Sequence, residues 1–305
     1  MTFSDTPPAD GSQHNCLMVG SARWQHGRFR LPIESPDFRD TGPIVWPTVV
    51  FAREPVTIAQ ADADPVIADA NTVMVYNAHA IYTREAISVR GDRCEWFSVS
   101  PATAIEVARG LGLDGDDPTS LFAFTHTPCD ATLFRDQRKL ANDLTSEAAS
   151  SDPIAVDETV LRLFERAIEP GRSATQRRSS AAREPTRRAH RCLAEDAKYV
   201  LALRFAERLT LDTLADELDC SPFHLARTFR RWTGQTIHQY LTRLRLAAAM
   251  DLMEQGLPLR EIALRTGFCR HSHFTKAFHD HVGMTPSNWR QAATQHSLHD
   301  HRDRS

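Results

Sequence analysis

One pattern occurs twice near the C-terminus. Leu225, Phe229, Gly234, Thr236 and Tyr240 are followed 49 positions later by Phe274, Phe278, Gly283, Thr285 and Trp289. Upstream, Leu211, Leu214 and Ala215 recur as Leu259, Ile262 and Ala263 at an offset of 48, so the second copy carries one extra residue in its turn. A repeat at fixed offset means one supersecondary unit used twice. Both copies read as helix, tight turn, helix.

In the first unit, Thr210 precedes a helix on which Leu211, Leu214, Ala215 and Leu218 fall at i, i+3, i+4 and i+7. Asp219 and Cys220 make the turn. Ser221 is a good N-cap, and Pro222 suits the first helical position. Leu225 and Phe229 face inward, which leaves Phe223, His224, Ala226, Arg227, Arg230 and Arg231 on the other side. A capped, basic second helix after a short turn is the helix-turn-helix arrangement, whose second helix enters a DNA major groove.

Gly234 ends that helix, and a long helix is expected over residues 236–255. Twenty residues span about 30 Å at 1.5 Å each, close to the ~34 Å between successive major grooves on one DNA face. Gly256 and Pro258 separate it from the second unit, which turns at Gly267. The last recognition helix is expected from about Arg270 to His281. Phe274 and Phe278 point inward there, leaving His271, Ser272, Thr275, Lys276 and His279 outside. Thr285 and Pro286 open a short final helix held by Trp289.

The net charge of −3 over 305 residues conceals a split. Residues 1–170 carry 14 Lys and Arg against 25 Asp and Glu, whereas residues 171–305 carry 22 against 14. An acidic front half joined to a basic back half points the back half alone at a polyanion. At 41% hydrophobic the chain can bury a full core, and its length suits two domains. Cys16, Cys94, Cys129, Cys192, Cys220 and Cys269 form no CxxC pair, which fits a reducing compartment. The first residues are polar and no stretch approaches 18 apolar residues, so a cytoplasmic protein without a membrane span is expected.

Residues 1–15 read as a disordered lead. From 16 to about 100, short β-branched and aromatic runs alternate with Pro, Gly and Asp; examples are 44–51, 55–58, 72–76 and 96–99. This texture predicts a small sandwich or barrel. A short helix over 102–110 follows, then two longer ones. The first, 130–146, carries Leu133, Phe134, Leu140 and Leu144. The second is capped by Asp152 with Pro153 at its first turn, and its apolar stripe includes Val160, Leu163, Phe164 and Ile168. That stripe is read as packing on its own domain, with a subunit seam as the alternative. The Arg-, Ser- and Ala-rich stretch 171–189 reads as a linker, and 294–305 as a disordered tail rather than a metal site.

The region 190–293 resembles the AraC/XylS family of bacterial transcription regulators. The residues that carry the resemblance are Ser221 to Leu225, Phe229, Gly234, the stretch 240–246 (YLTRLRL), Glu261-Ile262-Ala263, Gly267-Phe268, Ser272-His273-Phe274, Phe278, Gly283, Thr285-Pro286 and Trp289-Arg290. The resemblance implies a sequence-specific regulator, more often an activator, that binds double-stranded promoter DNA. As an activator it would also contact RNA polymerase. It further implies base contacts from Phe223, Ala226 and Arg227 in the first unit and from His271, Ser272 and Lys276 in the second. His224, Arg230, Arg270 and Thr275 complete the candidate DNA surface. Arg227 can read guanine bidentately, while Phe223 and Ala226 suit thymine methyls. Lys276 is equally suited to a phosphate. Cys269 and Arg270 depart from the family's usual small or acidic residues there. Cys220 and Cys269 occupy equivalent turns and are read as small buried turn residues, with a redox role as the alternative.

The front half, 16–170, resembles in arrangement the cupin-like sensory barrel that often precedes this DNA-binding domain. The whole is therefore expected to be a two-domain α+β protein, with a small β-barrel or sandwich plus flanking helices ahead of an all-α double helix-turn-helix. A small-molecule effector and a homodimer are the implied partners. Trp46, Tyr76, His79, Tyr82, Arg84 and Trp96 are the candidate effector contacts, each with core packing as its competing role. No bound metal or other cofactor is expected, since His79 and Glu85 lack the further histidines of a cupin site and Cys94, His126 and Cys129 lie on distant segments. No catalytic signature appears. The competing classes are a DNA-repair enzyme with an appended domain of this type and a non-specific architectural DNA binder.

Overall fold

The computed structural model describes residues 15–61, 63–113, 115–145, 152–177 and 184–297. The expected disordered lead and tail lie outside these residues, apart from 15 and 294–297. The middle of the expected linker also lies outside them.

The front half holds the strands β1 (Asn15–Gly20), β2 (Trp24–Leu31), β3 (Asp40–Thr41), β4 (Thr48–Ala52), β5 (Val56–Gln60), β6 (Val66–Ala68), β7 (Thr72–Tyr76), β8 (Tyr82–Ala86), β9 (Asp92–Val99) and β10 (His126–Pro128). Helix α1 (Pro101–Gly110) lies between β9 and β10, and α2 (Ala131–Leu144) and α3 (Pro153–Arg177) follow. The back half is helical: α4 (Glu184–Arg204), α5 (Leu211–Glu217), α6 (Pro222–Thr233), α7 (Ile237–Glu254), α8 (Leu259–Arg265), α9 (His271–Val282) and α10 (Pro286–Ser297).

Two antiparallel sheets organise the front half, in the orders β1-β2-β9-β4-β7-β10 and β3-β8-β5-β6. They are open sheets and do not form a closed barrel. Ala52, Met74 and Tyr76 of the larger sheet pack on Val56, Ile58, Val66 and Ala68 of the smaller one. On its other face Val49, Phe51, Val73, Val75, Phe97 and Val99 meet α1, α2 and α3. Strand β7 is therefore buried along its whole length, which is why TVMVY is an unbroken apolar run.

The strand expected over 44–51 starts only at Thr48, directly after Pro47, whose nitrogen cannot donate to a ladder. The strand expected over 96–99 extends back to Asp92 because β2 pairs with it over eight positions. The boundary expected at residue 170 is displaced as well. Helix α3 runs through Pro170 to Arg177, and α4 already begins at Glu184, so both ends of the expected linker are helical. Fully buried Ala167 and Ile168 anchor that part of α3, and the Phe124 ring fills the space a side chain at Gly171 would need. Packing here outweighs the helix-breaking tendency of the Pro-Gly pair.

The two repeated units have different cores. Leu214, Ala215, Leu225, Phe229 and Tyr240 of the first close against Ala197 and Leu201 of α4 in a cluster of their own. Ile262, Ala263, Phe274, Phe278 and Trp289 of the second belong instead to the large cluster that continues through α1, α2 and α3 to the first sheet.

Candidate nucleic-acid interface

Helix α6 starts where its chemistry dictates. Ser221 is the N-cap, its hydroxyl accepting from the His224 amide at 3.2 Å, and Pro222 follows it. Gly234 ends the helix in the left-handed region at φ 76°, a conformation that a side chain would disfavour. Leu225 and Phe229 are fully buried, worth about 1.5–3 kcal/mol each against exposure. This burial turns the opposite face outward. Phe223 is 77% exposed, His224, Arg227, Arg230 and Arg231 are exposed, and Ala226 is half-buried between them. Among the described residues, Arg227, Arg230 and Arg231 have no acidic partner, so their charge is free for a polyanion.

Helix α9 presents the corresponding face of the second unit. Phe274 and Phe278 are fully buried, and Gly283 ends the helix at φ 81°. Arg270, His271, Ser272, Lys276 and His279 are exposed; Thr275 is half-buried and donates to the His271 carbonyl at 3.0 Å. With Asp280 and Thr285, the face from His271 to His279 surrounds a shallow hollow. This face is electrostatically mixed. The Lys276 ammonium lies 2.7 Å from Asp280, an acid that the sequence reading did not weigh. Arg270 occupies the N-cap position but makes no capping hydrogen bond.

Helix α7 links the units. Thr236 caps it in a reciprocal box with Gln239, and its 18 residues span about 27 Å. Its buried side is shared: Tyr240, Leu241 and Leu244 close the first unit, Leu246, Ala247, Ala249, Met250 and Met253 join the large cluster, and polar groups tie the helix to the front half. The Tyr240 hydroxyl donates to Asp69, and Arg243 donates to the Cys129 carbonyl. Asn71 of the front half also donates to the Tyr240 carbonyl at 3.3 Å. Near the far end, Asp251 takes Arg138 of α2 at 2.8 Å, Arg53 at 3.1 Å and Arg93 at 3.0 Å. Arg53 reaches onward to Glu95 and Glu254. Burial alone would raise the Asp251 carboxyl, but the three guanidinium groups hold it below the usual carboxylate value. Glu95 behaves in the same way, with Arg53, Arg138 and Arg28 overcoming its burial. No local sequence signal could reveal this cluster, because each charge is tolerated only through partners distant in the chain.

The candidate effector residues are only partly gathered. The Tyr76 and Tyr82 rings lie 4.8 Å apart, and Arg84 donates to the Tyr82 hydroxyl at 2.9 Å. Arg84 is itself buried among the rings of Phe29, Phe38 and Tyr82 and paired with Asp92 at 3.1 Å. Burial pushes the Asp92 carboxyl up to about 6 against the opposing pull of Arg84. His79 is exposed in a turn at φ 62°, Trp46 sits in the loop before β4, and Trp96 packs over Gly27 of β2. These three do not join the group. Among the described residues no three His, Cys, Asp or Glu side chains converge as a metal site requires. Cys269 is exposed and Cys220 is half-buried, so the buried-turn reading does not hold for Cys269. Among the described residues no helix is long and apolar enough to cross a membrane.

A family model described as a helix-turn-helix domain matches residues 214–292. RhaR, an HTH-type transcriptional activator of Salmonella dublin, is 30% identical over 161 residues, covering 52% of this chain and 55% of that protein. The RhaR of Salmonella schwarzengrund aligns equally. The chain thus spans about half the length of the curated relatives it matches. A regulator from Chromobacterium violaceum, titled as having an AraC-type DNA-binding domain, is 26% identical over 35% of this chain and 96% of its own, with a TM-score of 0.33. ToxT from Vibrio cholerae O395 is 12% identical over 90% of this chain and 99% of its own, with a TM-score of 0.36. The RhaR proteins are transcriptional activators. The back half of this chain thus matches a helix-turn-helix domain, carried on a β-rich front half.

Proposed function

We propose that the chain is a sequence-specific transcription regulator, acting as an activator, that reads two successive major grooves of promoter DNA with α6 and α9. The observation that carries this reading is the pair of exposed faces on α6 and α9 at the two ends of one connecting helix. Base contacts fall to Phe223, Ala226 and Arg227 on α6 and to His271, Ser272 and Lys276 on α9. Arg230, His224, Thr275 and Arg270 serve the flanking backbone. The role of RhaR as a transcriptional activator supports the direction of regulation, and with it an RNA polymerase contact. The front half, cupin-like in its two-sheet arrangement, acts as the effector-binding and dimerising part, and the protein works in the cytoplasm.

Hydroxyl-radical footprinting of the full chain on a selected duplex tests the reading. Two protected segments one helical turn apart are expected. A single protected segment removes the two-groove reading. Equal affinity for selected and random duplex at physiological salt makes the protein an architectural binder instead.

A further inference from the structure

A cleft of about 640 Å³ opens between the two halves, beside the buried cluster around Asp251. Its walls come from both sides: the end of β2 and the β8–β9 turn in front, and α7 with the end of α8 behind. The volume is that of a small-molecule site. The lining is mostly polar, and its charge is predominantly cationic. Arg30, Arg90 and Arg93 approach from the front half and Arg265 from the back half. Among the described residues Arg30 has no acidic partner. Arg90 pairs with Glu54 and Arg265 with Glu261, but both arginine side chains are at least half exposed. The Arg265–Glu261 pair is exposed on both sides, contributes little and exchanges partners readily, whereas Glu54 is buried and holds Arg90 more firmly. Arg93 takes its carboxylate from Asp251, which Arg53 and Arg138 also hold, although Arg53 has Glu95 and Glu254 besides and Arg138 has Glu254 at 3.6 Å.

From this arrangement we infer that the cleft is the binding site of a small multivalent anion, carrying at least two carboxylate or phosphate groups. Guanidinium forks on opposite walls can each take one such group bidentately. A monovalent anion would satisfy one wall and leave the other. A neutral sugar would leave Arg30 without a counter-charge. A ligand held by Arg30 or Arg93 on one side and Arg265 on the other favours the placement of the front half on α7 seen here. It can alter DNA affinity only by its preference for that placement. The consequence for DNA rests on the regulator reading above; the binding itself does not.

The test uses the full chain without DNA, titrated calorimetrically with citrate and with pyrophosphate at constant ionic strength. Glucose and sodium chloride serve as controls. Saturable binding of either anion is expected, weakened at least tenfold in an Arg30→Gln/Arg265→Gln double variant that keeps the parent melting temperature. Which anion binds more tightly distinguishes carboxylate from phosphate chemistry, and either result supports the site. Absence of saturable binding, loss of it to salt alone, or unchanged affinity in the double variant overturns the inference. Duplex affinity without added anion is expected to be unaffected by the double substitution. A fall there would make DNA phosphate the occupant of the cleft and also overturn the inference. A single protected segment in the parent chain's footprint would instead strike the regulator reading and leave this binding result standing.

Discussion

The two helix-turn-helix units descend from one pattern, yet they are held in different ways. The first is a small cluster of its own, closed by α4 and fixed by side-chain caps at Thr210 and Ser221. The second lacks side-chain caps at both Pro258 and Arg270, and its phenylalanines continue into the core of the front half. Their outer faces differ too: unpaired arginines on α6, a Lys-Asp pair among histidines on α9. Sequence repetition therefore does not mean equivalent duty. The first unit's apolar core closes within the helical half and meets the front half through polar contacts, while the second unit's core continues into the front half.

Asp251→Ala should produce the largest effect. Removing the carboxylate at the centre of a buried ion cluster takes Arg93's partner and leaves Arg138 only Glu254 at 3.6 Å, at a cost of about 3–5 kcal/mol. Urea denaturation measures it, and a loss under about 1 kcal/mol would show that apolar packing alone attaches α7. Acid should reproduce the effect. The Asp251 carboxyl lies below its ordinary 3.8 in the folded chain, so the folded state binds fewer protons than the unfolded one there. Its stabilisation is present above that pH and is lost as pH falls through the lowered value. Melting temperature should thus fall more steeply below pH 3.8 in the parent than in Asp251→Ala.

On the DNA side the expected effects are smaller. Arg227→Ala should cost about 1–3 kcal/mol at one base pair and relax choice there, as competition with variant duplexes would show. Lys276→Ala should cost less than this at its own base pair, because Asp280 already neutralises that ammonium. Equal selectivity losses from both would erase the contrast between the faces. Smallest is the difference in caps. Ser221→Ala should lower stability by about 1 kcal/mol. Arg270→Ala, at the equivalent position without a capping bond, should stay within about 0.5 kcal/mol. Matched losses in denaturant melts would mean the caps do not distinguish the units.

The helical half could be read from the sequence because its boundaries are set by local chemistry. Ser221, Gly234, Thr236 and Gly283 each stop or start a helix through their own backbone or side chain, whatever surrounds them. The recognition faces followed from the spacing of Leu225 and Phe229, and of Phe274 and Phe278. The front half was less legible. Strand β2 carries His26 buried against Phe97 at 4.4 Å and then Arg28 and Arg30, so its alternation is disguised. Helix α3 passes a proline because Phe124, far away in sequence, packs at Gly171. Arg53, Arg138 and Asp251 look like solvent-facing charges until their partners are assembled. The residues flanking the cleft at Arg30 and Arg265 lie 235 positions apart, beyond any local pattern.

Helix α4 gives the front half an unexpected guard. Its Glu195 carboxylate accepts the Ile67 amide at 2.9 Å on the outer margin of β6, and Arg191 pairs with Asp64 just ahead of that strand. The same helix supplies the wall against which the first unit closes. An incoming strand from another copy could extend the smaller sheet on that margin only by prising α4 away, and with it the packing of α6. Protection from aggregation and integrity of the first DNA-facing helix are thereby tied to one segment.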